Sequence, residues 1–200
     1  MASSLSRRKL ASAAARLNAR HQVAGLLPPL ALLTDDERLS DPLAAARALP
    51  RGSMVVVRAR DATRREALAQ ALLALARTRG LTILVAEDAA MATRVGADGL
   101  HLPERRAREA AHWRARHPAW IITAAAHALG AVPPGLDAVF LSAVFATASH
   151  PGRMALSAVR ANAMARAMML PVYALGGIDA RNAALLHGFA GIAAIGALAV

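Results

Sequence analysis

Several apolar runs in this chain end on residues equipped for chemistry. Asp35 follows the first run, Arg58 and Arg60 the second, and Glu87-Asp88 the third. Glu104 to Arg106 follow the fourth, His127 the fifth, Thr147 to Gly152 the sixth, Gly176-Gly177 the seventh and Gly196 the eighth. A guanidinium keeps its charge and offers a planar fork to phosphate or carboxylate oxygens. Glycine has no Cβ, so backbone N–H groups at Gly176-Gly177 and Gly196 can approach a phosphate. Glu87-Asp88 supply carboxylates and His127 an imidazole. The set is rich in phosphate donors and poor in carboxylates, which favours an anionic small molecule. Plainer readings stand beside these: glycines turn chains, Asp35-Asp36-Glu37 cap a helix or face water, and His127 starts a helix.

The elements that would position these residues alternate along the chain. The runs are Leu30–Thr34, Met54–Arg58, Leu81–Ala86, Gly99–Leu102, Ala119–Thr123, Ala138–Ser142, Val172–Leu175 and Gly191–Ile195, eight candidate strands. Helical stretches lie between them: a short one from Pro42 to Leu49 capped by Ser40, then Arg64–Arg79, Asp88–Val95, Glu104–Arg116, Ala155–Met168 and Asp179–His187. Strands alternating with helices specify a parallel sheet with right-handed crossovers. Eight such units predict a single (β/α)8 TIM barrel, in the α/β class, over residues 30–200. Reacting groups then gather at the C-terminal strand ends, and the loops after strands seven and eight are a frequent phosphate site. An open doubly wound sheet is the competing architecture, but no G-x-G-x-x-G turn follows the first strand. Little chain follows the eighth run, so a shortened eighth helix is expected, its gap covered by an N-terminal helix.

Residues 1–29 form a basic extension. Ser6-Arg7-Arg8-Lys9-Leu10 has a faint likeness to a twin-arginine export signal, but Arg16 and Arg20 interrupt any apolar stretch. A helix capped by Ser6 and running to about His21, packed on the domain, is the expectation, with a cytoplasmic location. The formal net charge is +11, and Lys9 is the only lysine. Aromatic residues make up only 3%, leaving few stacking platforms for nucleic acid. No apolar stretch reaches the ~20 residues that span a bilayer. With no cysteine, thiolate chemistry and disulfides are excluded. Small phosphorylated substrates, rather than nucleic acid or membrane, are therefore the expected partners, with homo-oligomerisation left open. Met164, Met168 and Met169 read as core filler.

Three segments carry a family resemblance: Gly96-Ala97-Asp98-Gly99-Leu100-His101-Leu102, Val144-Phe145-Ala146-Thr147-Ala148-Ser149-His150-Pro151-Gly152 and Pro171-Val172-Tyr173-Ala174-Leu175-Gly176-Gly177-Ile178. In this order they resemble thiamine-phosphate synthase and its sister, the thiazole tautomerase. The resemblance implies a barrel that joins an aminopyrimidine diphosphate to a thiazole phosphate, releasing pyrophosphate with magnesium. Carried over by position, Arg58 and Arg60 would grip the diphosphate. Thr147, Ser149 and His150 would hold phosphates, and Gly177, Ile195 and Gly196 the thiazole phosphate.

The departures from the family pattern are concrete. Val56 stands where the family has Gln, and Ala86-Glu87 where it has Asn-Asp, so Glu87 is the surviving metal carboxylate. The second metal acid is Arg106, the usual Lys is His150, and a serine that supports the pyrimidine is Ala125. His127 lies in a segment similar to the one in which the tautomerases present a histidine for proton shuttling, chemistry that needs a phosphate site but no metal. The alternatives to the synthase are therefore a thiazole tautomerase using His127 and a lapsed member that binds a phosphorylated ligand.

Overall fold

The computed structural model describes residues 3–21, 25–147 and 154–200. In it the eight apolar runs become parallel strands: β1 (Leu30–Leu33), β2 (Met54–Val57), β3 (Thr82–Ala86), β4 (Gly99–Leu102), β5 (Ile121–Ala126), β6 (Ala138–Leu141), β7 (Val172–Ala174) and β8 (Gly191–Ala194). They pair in sequence order and β8 returns to β1, so the sheet closes into the expected barrel. Alternation along each strand sorts the core into two layers. Ala31, Leu33, Met54, Val56, Leu84, Phe140, Tyr173 and Ala193 fill the barrel interior. Leu30, Leu32, Val55, Val57, Ile83, Val85, Ile122 and Ile192 face the surrounding helices.

Large rings fill the interior. Phe140 lies 4.8 Å from Tyr173 and 4.9 Å from His101, centroid to centroid. Tyr173 donates its hydroxyl to the Pro28 carbonyl. Its ring fits because Gly191 opposes it: a Cβ there would stand 2.5 Å from Tyr173 Cε1.

The helices are α1 (Ser4–Arg20), α2 (Pro42–Arg47), α3 (Ala62–Arg79), α4 (Ala89–Val95), α5 (Ala110–Arg116) and α6 (Ala158–Ala167). Helix α1 packs on β8 and β1, where the eighth helix of a barrel would lie. It buries Leu10, Ala13, Ala14 and Leu17. The buried Asn18 amide donates to the carbonyls of Leu27 and Ala190, at 3.1 and 3.2 Å, and Arg7 donates to the Ala199 carbonyl at 3.2 Å.

Local departures from expectation have local causes. Ser3 rather than Ser6 caps α1, accepting from the Ser6 N–H, and Asp41 rather than Ser40 caps α2. Residues 104–116 split into a 3-10 segment, Glu104–Glu109, and α5. The helix expected over Asp179–His187 is only a 3-10 turn, Ala183–Leu185. Asp179 takes the N–H groups of Arg181 and Asn182, while the Asn162 side chain serves Leu185, His187 and Gly188. These side-chain bonds replace the helical ladder. Met164 is core, whereas Met169 is 93% exposed.

Candidate active site

The C-terminal ends of β1, β2 and β3 surround a cavity of about 290 Å³ lined by Thr34, Asp35, Arg58, Arg60, Arg65 and Glu87, among others. The buried Thr34 hydroxyl locks two of these ends together. It donates to the Arg58 carbonyl at 2.6 Å and accepts from the Arg58 N–H at 2.7 Å. This fixes the backbone from which the half-buried Arg58 side chain extends. No side-chain carboxylate pairs with the Arg58 guanidinium among the described residues. Arg60 differs: it is exposed and paired with Glu37 at 2.6 Å.

The acids of this cavity are already engaged. Asp35 is held by Arg38, whose hydrogen bond keeps the carboxyl below the ordinary carboxylate range. Asp36 lies 3.8 Å from Arg64 and accepts the Arg60 N–H at 2.9 Å. Glu87 adopts the left-handed backbone region, φ 66°, and pairs with Arg105 at 3.0 Å. Arg106 donates to the Glu87 carbonyl at 2.8 Å and forks onto both Glu109 oxygens at 2.7 and 2.8 Å.

Magnesium prefers near-octahedral oxygen ligation, commonly with one or two carboxylates. Glu87, the carboxylate that the resemblance assigns to the metal, is ion-paired with Arg105, and Arg106 is the residue at the position where the resemblance implies a second acid. Among the described residues no group of three or more His, Cys, Asp or Glu is arranged to hold a metal. The residues present do not fit the ion that the resemblance implies.

On the next arc, Glu104 grips His127 twice. Its carboxylate lies 2.6 Å from His127 Nδ1 and accepts the His127 N–H at 3.2 Å. A carboxylate only accepts, so Nδ1 carries a proton in this contact. Within the barrel, His101 pairs through Nδ1 with the Thr123 hydroxyl at 2.9 Å. Burial first, and the Arg58 charge second, lower its pKa from 6.5 to about 3.

Past β6 the site is built from backbone. Thr147 is half-buried after β6, while Ser149 and His150 lie outside the described residues. Gly177 has φ 63°, and a Cβ on it would stand 2.2 Å from the Ala146 carbonyl oxygen. The glycine is thus required by the close approach of the loop after β6. Ile195 and Gly196 open the 3-10 turn Gly196–Leu198 after β8. Gly196 has open space around it, so its lack of a Cβ is not demanded by packing.

Arg65, read only as part of a helix, escaped the sequence; Glu104 was among the strand-end residues, but its tie to His127, which spans two separate loops, was not legible. A basic side chain at the start of a helix after a basic strand end was the available signal for Arg65.

A closed parallel barrel with arginines and left-handed glycines at its C-terminal ends belongs to the class of barrels that present their sites at that face. The family model described as thiamine monophosphate synthase (TMP-TENI) matches residues 30–198. The thiamine-phosphate synthase of Thioalkalivibrio sulfidiphilus is 34% identical over 157 residues, covering 73% of this chain and 74% of that protein. The Chlorobium luteolum thiamine-phosphate synthase is also 34% identical, over 182 residues, covering 86% and 85%. A solved thiamine phosphate pyrophosphorylase from Pyrococcus furiosus superposes with a TM-score of 0.67 at 24% identity, covering 83% of this chain and 84% of that one, a likeness of fold. The chain belongs to the thiamine monophosphate synthase family. No helix among the described residues is long and apolar enough to cross a membrane.

Proposed function

We propose that this chain joins an aminopyrimidine diphosphate to a thiazole phosphate and releases pyrophosphate, a step of thiamine biosynthesis. The observation that carries this reading is the Arg58 guanidinium, opposed by no carboxylate among the described residues and lining the mouth cavity of a family barrel. In this reaction the bond between the pyrimidine methylene carbon and the diphosphate oxygen breaks, and the diphosphate leaves with the bonding pair. The thiazole nitrogen then bonds to the cationic methylene. What the protein must supply is stabilisation of the negative charge that grows on the leaving group, and a fixed cation in a partly desolvated mouth does so. In this reading Arg60 assists from the rim, and Thr147, Ser149 and His150 donate to phosphate oxygens. Gly177, Ile195 and Gly196 present backbone N–H groups to the thiazole phosphate. The same reading assigns a cytoplasmic protein acting on small phosphorylated substrates. Pyrophosphate release from the two substrates together tests it. Arg58→Ala is expected to lower kcat/KM by about a hundredfold; absence of turnover by the wild-type chain overturns the reading.

The Glu104–His127 contact favours a second reading, thiazole tautomerisation, in which His127 Nε2 accepts and returns a proton. Conversion of the thiazole carboxylate phosphate, abolished in His127→Ala, supports it; no conversion by the wild-type chain removes it.

A further inference from the structure

We infer that the mouth of this barrel binds diphosphate through guanidinium groups alone, Arg65 among them, and needs no divalent cation; this rests on the reading of the mouth as a diphosphate site. Four carboxylates line the cavity, Asp35, Asp36, Glu37 and Glu87. Each has its own arginine: Arg38, Arg64, Arg60 and Arg105 respectively. An ion-paired carboxylate has its charge balanced, so a cation must compete with the arginine for it. Arg106 closes off the remaining position. Its fork is anchored on Glu109, and its charge, resting on the Glu87 carbonyl, repels a cation where the family pattern has an acid.

The surplus lies on the other side. Of the arginines lining the cavity, Arg60 is matched to Glu37, whereas Arg58 and Arg65 have no carboxylate partner among the described residues. Arg65 extends from the first turn of α3, and its Nη1 reaches the Ala86 carbonyl at the end of β3 at 3.4 Å. Its Nε is buried without a hydrogen-bond partner. A buried N–H of a charged group left unmatched is destabilising unless something accepts from it. Arg65 as a residue also lines the cavity, and an anion bound there would balance its charge. Two guanidiniums without a carboxylate partner among the described residues, beside four ion-paired acids, form a receptor for an anion and a poor one for a metal ion.

Inorganic pyrophosphate is the probe, titrated calorimetrically into the wild-type chain in EDTA and again in excess magnesium. Binding is expected in EDTA, no weaker than with magnesium. Arg65→Ala is expected to weaken it by about tenfold or more. Binding seen only with magnesium overturns the inference and leaves the proposed function standing. Binding in EDTA that Arg65→Ala leaves unchanged overturns the part given to Arg65. No binding under either condition overturns the inference and the diphosphate reading together. If Arg65→Ala fails to fold, Arg65→Lys decides: weaker binding at an unchanged melting temperature supports the fork, and wild-type binding overturns it.

Discussion

Around the barrel mouth, the arc from β1 to β4 carries Arg58 and Arg65 among five ion pairs: Asp35–Arg38, Asp36–Arg64, Glu37–Arg60, Glu87–Arg105 and Glu109–Arg106. The arc from β6 to β8 instead brings Gly176 and Gly177, both with positive φ, against the loop that follows β6. Side chains shape one arc and main chain shapes the other. The difference teaches where each arc can change. A side-chain arc can exchange one residue at a time. A main-chain arc is held by sterics that any added carbon violates.

Gly177→Ala should have the largest effect, because the new Cβ meets the Ala146 carbonyl and the backbone is left-handed. A loss of about 2 to 4 kcal/mol in chemical denaturation is expected; an unaltered midpoint would dissolve the contrast between the arcs. His101 comes next. Its folded pKa, about 3, lies below the ordinary 6.5, so above 6.5 neither state holds the proton and the group contributes no pH dependence. As pH falls through that interval the unfolded chain takes a proton that the folded one refuses. Stability then declines by about 1.4 kcal/mol per pH unit from this one group. His101→Gln should flatten that part of the melting-temperature profile; parallel profiles would refute the assignment.

Thr34→Val removes both bonds to the Arg58 backbone. About 1 to 3 kcal/mol of stability should be lost, together with affinity for pyrophosphate; a loss of stability without loss of affinity would uncouple the lock from the site. Arg60→Ala should matter least. Its side chain is 83% exposed and already paired, so an effect on kcat/KM under about fivefold is expected. An effect equal to that of Arg58→Ala would show that exposure does not separate the two arginines.

The barrel was legible because its strands are short continuous apolar runs, buried on both faces, separated by helical periods. Where that signal thins, the reading slipped. β5 was expected over Ala119–Thr123 but runs Ile121–Ala126, since Ala124, Ala125 and Ala126 carry little strand character of their own. The segment after Asp179 has helical composition, and only the fold shows that Asn162 captures its backbone groups. At the site, Arg58 and Gly177 could be picked out because each ends an apolar run. Arg65 could not, because its relation to Ala86 depends on how α3 lies across β3. Nor could the neutralisation of Glu87 be read, since Arg105 reaches it across the β4 connection.

Helix α1 stitches the barrel across great distances along the chain. Asn18 reaches a carbonyl 172 residues further on, and Arg7 one 192 residues further on. Contacts of such separation carry the largest loop-closure entropy, which favours their forming after the nearer ones. Substitutions at Asn18 should therefore leave the refolding rate nearly untouched and act by hastening unfolding, so that this seam governs how long the native barrel survives rather than how fast it is reached.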